Sequence, residues 1–191
     1  DKIGELIRSR YQGLYLDKLA SFQRKVRTFG FHFASLDIRQ DSRIIQRALE
    51  NALKILPDYW HKKFEALSED EQIEALLNLD HEVDPASIVE PVERDTLESM
   101  RLIQEIQKKN GEQSIHRYII SNCRGPRDVV HVIALFRLAG WKNNIHVDIV
   151  PLFETIDDLK TADRTMSELY DSHSYNQHLQ GRDSQQTVML G

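Results

Sequence analysis

Three short apolar runs separated by helical patterns constrain this chain most. Arg117 to Ser121 (RYIIS), Ile145 to Phe153 (IHVDIVPLF) and Gln186 to Leu190 begin roughly 28 to 40 residues apart, the spacing of βαβ units. Parallel strands need a crossover of a dozen or more residues, usually a helix, so this spacing predicts parallel pairing. A further run, Phe31 to Gln40 (FHFASLDIRQ), reads as a buried strand over 31 to 39. Roughly 75 residues of mostly helical pattern separate it from the next strand, far beyond a typical crossover. About four parallel strands with large helical insertions predict a helix-rich α/β fold, part of an α/β barrel or of a doubly wound sheet.

The helices carry clear punctuation. Ile3, Leu6, Ile7, Tyr11, Leu14, Leu19, Phe22, Val26 and Phe29 recur at helical spacing, with a weak point at Gly13 and a stop at Gly30. A second helix reads from Ser42 to Leu56 and is ended by Pro57. Residues 57 to 95 are acidic and polar, and a capping box, Ser68 to Glu71, opens a helix there. Further helices read over Val92 to Lys109, from Gly125-Pro126 to Gly140, after a second capping box at Thr155 and Asp158, and over 171 to 180. The chain divides into N-terminal helices (1–30), a strand and helix (31–56), a helical insertion (57–116) and a βαβαβ stretch (117–191).

Several function classes drop out on composition. The net charge of −5 comes without a basic stripe, which argues against a nucleic-acid partner. No apolar run approaches the roughly 18 residues of a membrane span. The single cysteine, Cys123, allows no internal disulfide and fits a reducing cytoplasm. The chain starts at Asp1 without a Met and stops in the apolar run Thr187 to Gly191, which reads as a piece cut from a longer protein.

Two charged positions stand out. Strand alternation puts Asp37 and Arg39 on one face at the carboxyl end of the first strand. An Arg held there can grip a carboxylate or phosphate with two parallel hydrogen bonds. Alternation likewise puts His146, Asp148, Val150, Leu152 and Glu154 on one face of the third strand, with Glu154 at its carboxyl end. Chemistry in α/β folds sits at that end, and Mg²⁺ takes one or two carboxylates plus substrate oxygens and water. Leu152, one step deeper, gives such a site an apolar floor. Taken alone, an Asp/Arg pair at a strand end is more often a structural ion pair than a ligand clamp, and a lone Glu before a helix is more often a cap. No H-E-x-x-H, phosphate-binding glycine loop or G-x-S-x-G is present.

Four blocks together carry a resemblance. FGFHFASLDIRQDS (Phe29 to Ser42), VIALFRLAG ending at Gly140, VPLFETIDDL (Val150 to Leu159) and QGRDSQQTVMLG (Gln180 to Gly191) resemble the central part of bacterial phosphoenolpyruvate carboxylase, in that order and at about that spacing. The resemblance covers nearly the whole chain and is weakest over 57 to 115. It implies a partial parallel β-barrel, TIM-barrel-like and of the phosphoenolpyruvate/pyruvate superfamily. The implied enzyme is a carbon–carbon lyase, a cytoplasmic homotetramer using Mg²⁺ or Mn²⁺. It converts phosphoenolpyruvate and bicarbonate to oxaloacetate and phosphate, feeding the tricarboxylic acid cycle.

Carried residue by residue, the resemblance implies that Arg39 lies near the substrate phosphate and that Glu154 is one of two metal carboxylates. Leu152 and Met189 line the pocket beside the enolate. The family's S-D-x-x-K-D motif, which supplies the second metal carboxylate, would follow Gly191. The catalytic His regions and the glycine- and arginine-rich loop are absent from this stretch, so the 191 residues alone are expected to be inactive and to bind Mg²⁺ weakly or not at all. The competing readings are a non-catalytic helical interaction module, with Arg39 and Glu154 structural, and a barrel piece of another phosphoenolpyruvate- or oxaloacetate-handling enzyme.

Overall fold

Helical crossovers bring the four strands side by side. The computed structural model describes residues 2–142 and 144–191; the expectation placed on the Asp1 terminus lies outside them. Helices α1 (Lys2–Tyr11) and α2 (Leu16–Phe29) lead to strand β1 (Leu36–Asp41). Then come α3 (Ser42–Leu53), α4 (Asp58–Glu65), α5 (Glu69–Leu77) and α6 (Pro91–Asn110). The rest alternates as β2 (Ile115–Ser121), α7 (Pro126–Leu138), β3 (Asp148–Phe153), α8 (Ile156–Asp171), α9 (His173–Gln180) and β4 (Met189–Leu190). The strands pair in the order β1-β2-β3-β4, every neighbour parallel, as the crossover spacing predicts. No described helix is long and apolar enough to cross a membrane.

The sheet has two unlike faces. Tyr118, Ile120, Ile149 and Phe153 join the main core, which the helices supply from one side. Ile119, Val150 and Leu152, with Met189 against them, form a small second cluster on the other face. Helix α7 is buried nearly all round, at Val129, Val130, Val132, Ile133, Ala134, Leu135, Phe136 and Leu138. A helix apolar on every side belongs inside, and α7 contacts α3, α5, α6, α8 and β3. Both capping boxes form, at Ser68/Glu71 and Thr155/Asp158.

Three expectations need correction. The first strand is neither buried nor nine residues long. Gly30 takes φ 51° and Phe33 φ 66°, and the amides of His32 and Phe33 both donate to the Phe29 carbonyl, at 3.2 and 2.8 Å. The chain therefore doubles back, and Phe31 is 98% exposed. Pairing starts only at Leu36, opposite Ile115, where β2 itself begins. The fourth strand shrinks from Gln186–Leu190 to Met189–Leu190 because the Gln186 side-chain amide, not its backbone, donates to the β3 carbonyl of Ile149 at 2.9 Å. The N-terminal pattern divides into α1 and α2 at the weak point Gly13, as expected, but its apolar stripe stays outside. Ile3, Leu6, Phe22, Val26 and Phe29 are all exposed, and α2 buries no residue.

Two histidines make the fold acid-sensitive. Partial burial pushes His131 and His178 down to about 4, with Arg127 adding to the effect at His131 and Arg182 at His178. Both rings are neutral in the folded state but take up protons near pH 6.5 once unfolded. Their stabilising contribution is complete above that pH and is lost as pH falls from about 6.5 towards 4, on the order of 2 kcal/mol each after their partial exposure is discounted. Urea midpoints at neutral pH and near pH 4.5 are expected to differ accordingly. The His131→Gln, His178→Gln double variant is expected to lose most of that difference; an unchanged difference would remove these rings as its cause.

Candidate functional site

Because all four strands run the same way, their carboxyl ends share one edge, and side-chain parity decides which residues face which side. Arg39 lies opposite Ile119, Ile119 opposite Val150, and Leu152 opposite Met189. Alternation places Arg39, Ser121 and Glu154 on the face of that small apolar cluster, at its rim. Leu152 is 3% exposed and forms the floor beneath Glu154, with Met189 partly buried beside it.

The Arg39 guanidinium is held between two strands. Its Nε donates to Ser121 Oγ at 3.0 Å, and its Nη2 lies 3.4 Å from both carboxylate oxygens of Glu154. Charge-assisted N–H···O bonds usually close to 2.7–2.9 Å, so this pair is loose. Half of the Arg39 side chain remains open to solvent. Glu154 also accepts from the backbone N–H of Asn122 at 3.0 Å.

Behind this pair lies a tighter network. Asp41 caps α3 by accepting from the Arg43 amide at 2.9 Å and takes both Nε and Nη2 of Arg43, at 2.8 and 2.7 Å. The Asn122 side chain donates to Asp41 at 2.7 Å, and Ser42 Oγ donates to the Asn122 carbonyl at 2.8 Å. The Arg43 guanidinium, aided by Asn122, holds the Asp41 carboxyl well below the usual carboxylate range.

All four residues singled out from the sequence come to this edge, but the expected Asp37–Arg39 pair does not form. Asp37 lies instead 3.9 Å from Arg117, its register partner one strand over. Arg39, two residues further on, reaches across β2 to Glu154, a partner 115 positions away. Sequence reasoning missed Ser121, Asn122, Asp41 and Arg43. The available signal was the polar pair Ser121-Asn122 ending an otherwise apolar strand, and Asp41-Ser42 in front of an apolar helix.

The rim does not by itself make a metal site. Among the described residues no three His, Cys, Asp or Glu side chains converge. Both Asp41 oxygens are already taken by Arg43 and Asn122, which leaves Glu154 as a single carboxylate. A separate groove of about 870 Å³ lies between α5, the start of α7 and the α8–α9 junction, and none of Arg39, Leu152, Glu154 or Met189 lines it. Two of its charge pairs close on one another, Arg127 on Glu69 and Arg164 on Glu168.

The family model described as phosphoenolpyruvate carboxylase matches residues 4–191, a span that includes every rim residue. The chain belongs to the phosphoenolpyruvate carboxylase family. It is 33% identical over 202 residues to a phosphoenolpyruvate carboxylase of Nitrosomonas europaea, covering 99% of this chain and 21% of the relative. Against that of Xanthomonas euvesicatoria pv. vesicatoria it is 33% identical over 171 residues, 87% of this chain and 18% of the relative. Against that of Corynebacterium diphtheriae it is 32% identical over 187 residues, 92% and 20% respectively. The chain thus spans about a fifth of the length of these phosphoenolpyruvate carboxylases.

Proposed function

We propose that this chain is part of the active-site wall of a phosphoenolpyruvate carboxylase, in which its open four-strand sheet is one arc of a closed parallel barrel of the TIM type. The observation that carries this reading is the meeting of Arg39 and Glu154, at 3.4 Å, on the carboxyl rim above an apolar floor. Arg39 grips the phosphate of phosphoenolpyruvate. Its Nε is tied to Ser121 and its Nη2 lies against Glu154 in a loose pair, so Nη1, and Nη2 once that pair opens, would meet the phosphate oxygens. Glu154 is one of the carboxylates for Mg²⁺ or Mn²⁺, and the others come from outside these residues. When bound, that metal supplies positive charge for the enolate oxygen. The cytoplasmic setting and homotetrameric assembly of the whole enzyme follow from the family resemblance.

The reaction suits these residue types. A bicarbonate oxygen attacks phosphorus, the bond from phosphorus to the enol oxygen breaks, and that oxygen keeps the electron pair as the pyruvate enolate. Carboxyphosphate then splits into CO₂ and phosphate, and the enolate carbon attacks CO₂ to form oxaloacetate. Phosphoryl transfer is chiefly positioning and charge stabilisation, which is what a fixed guanidinium contributes. The enolate must meet CO₂ before water protonates it, and Leu152 and Met189 keep water from that side of the pocket.

On this reading the 191 residues alone make no oxaloacetate, because one metal carboxylate and one phosphate-binding Arg are too few. In an assay coupled to malate dehydrogenase the purified chain is expected to oxidise no NADH above background. Mn²⁺ titration followed by electron paramagnetic resonance is expected to show no saturable site. Turnover by the purified chain would refute the dependence on the remaining barrel.

A further inference from the structure

Glu154 is aimed by a residue that no motif marks. Asn122 follows the last residue of β2 and adopts φ 54°, the left-handed region that Asn tolerates better than most side chains. Its polar groups tie the end of β1 to the end of β3. The backbone N–H donates to Glu154 Oε1 after β3, at 3.0 Å. The side-chain amide donates to Asp41 at the end of β1, at 2.7 Å, and the carbonyl accepts from Ser42, at 2.8 Å. Asp41 is itself locked by three donors from Arg43. The chain from Arg43 through Asp41 to Asn122 therefore fixes the direction of one N–H, and that N–H points at the carboxylate.

We infer that Asn122 is a positioning residue, whose left-handed backbone and Asp41 tether orient the Glu154 carboxylate relative to Arg39. The inference rests on the active-site reading above for its consequence in catalysis, but not for the contact itself. Arg39 alone cannot set this orientation, because it sits at 3.4 Å from both oxygens and favours neither. The Asn122 N–H reaches one oxygen only, so it breaks the tie and leaves Oε2 as the oxygen without a backbone donor. Groups that orient a ligating carboxylate typically change metal affinity or activity 10- to 100-fold when removed.

Two measurements test this separately. In the isotope-labelled 191-residue chain, the Asn122 amide proton is expected to shift on Glu154→Gln by more than the amides of Ser121 and Cys123. In the complete enzyme, Asn122→Val forces a β-branched residue into a left-handed conformation. It is expected to lower kcat and raise the Mn²⁺ concentration needed for half-activation, each roughly 10-fold or more. Asn122→Gly keeps the backbone conformation but loses the Asp41 tether, so it is expected to recover only part of that loss, with an Mn²⁺ requirement between those of the wild type and Asn122→Val. An Asn122 amide indifferent to Glu154→Gln overturns the inference whatever the enzyme does, and so does an Asn122→Val enzyme with wild-type kcat and Mn²⁺ requirement. A responsive amide combined with an Arg39→Ala enzyme of normal rate would instead keep the contact and sink the active-site reading.

Discussion

Arg39→Ala in the complete enzyme is expected to lower kcat/KM for phosphoenolpyruvate about a thousandfold, roughly 4 kcal/mol of transition-state stabilisation, while the unfolding temperature barely moves. The two halves of this expectation come from different observations. Arg39 is half exposed and its ion pair with Glu154 is long, so removing it costs the fold little; exposed pairs contribute about 0–1 kcal/mol. On the proposed reading the catalytic loss is large because the guanidinium would offset the negative charge of the phosphoryl group in transfer. Arg39→Lys keeps the charge but loses the fork that meets two oxygens at once, so it is expected to recover only part of the rate. Steady-state kinetics with a melting curve on the same samples checks both halves. A melting temperature that falls by many degrees with turnover spared would favour the helical interaction module instead.

The largest stability effect is expected at Phe136 on α7. This ring is fully buried and meets Tyr118 of β2 edge-on at 5.5 Å and Trp141 edge-on at 5.4 Å. Trp141 in turn donates from its indole to the Met100 carbonyl of α6 at 3.0 Å. One side chain thus joins the sheet, the central helix and the longest helix. Phe136→Ala leaves a cavity between Tyr118 and Trp141, and such truncations cost about 3–5 kcal/mol. For a chain of this size that lowers the unfolding midpoint by on the order of 10 °C. Urea unfolding followed by tryptophan fluorescence reads it directly, since Trp141 loses its packing partner. A loss below about 1 kcal/mol would mean that the α7 environment is looser than its burial indicates.

Much of this architecture can be read from local patterns. The two capping boxes at Ser68 and Thr155 announce α5 and α8 because the signal is a side chain bonding to amides three residues away. Val129, Val130, Ile133 and Phe136 at helical spacing, between Pro126 and Gly140, announce a helix there, though not how completely it is buried. The spacing of the last three strands announces parallel pairing, since no short connection can make a parallel ladder. The first strand departs from its local pattern for an equally physical reason. Phe31 and Phe33 alternate with smaller residues as strand residues do, but alternation says nothing about whether a partner lies alongside. None does, because β2 begins opposite Leu36.

The rim separates local from long-range determination. Period-two alternation alone tells that Arg39 shares a face with Asp37, and Glu154 with Leu152, because parity depends only on the pleat. Which charges actually meet depends on the relative stagger of β1, β2 and β3, and that is settled by pairings about 80 positions apart between β1 and β2 and 31 apart between β2 and β3. Stagger sends Asp37 to Arg117 and Arg39 to Glu154, a distribution of charge that no local pattern encodes. Asn122 is hidden for the same reason. Its left-handed turn is local, but its role exists only where three strand ends converge.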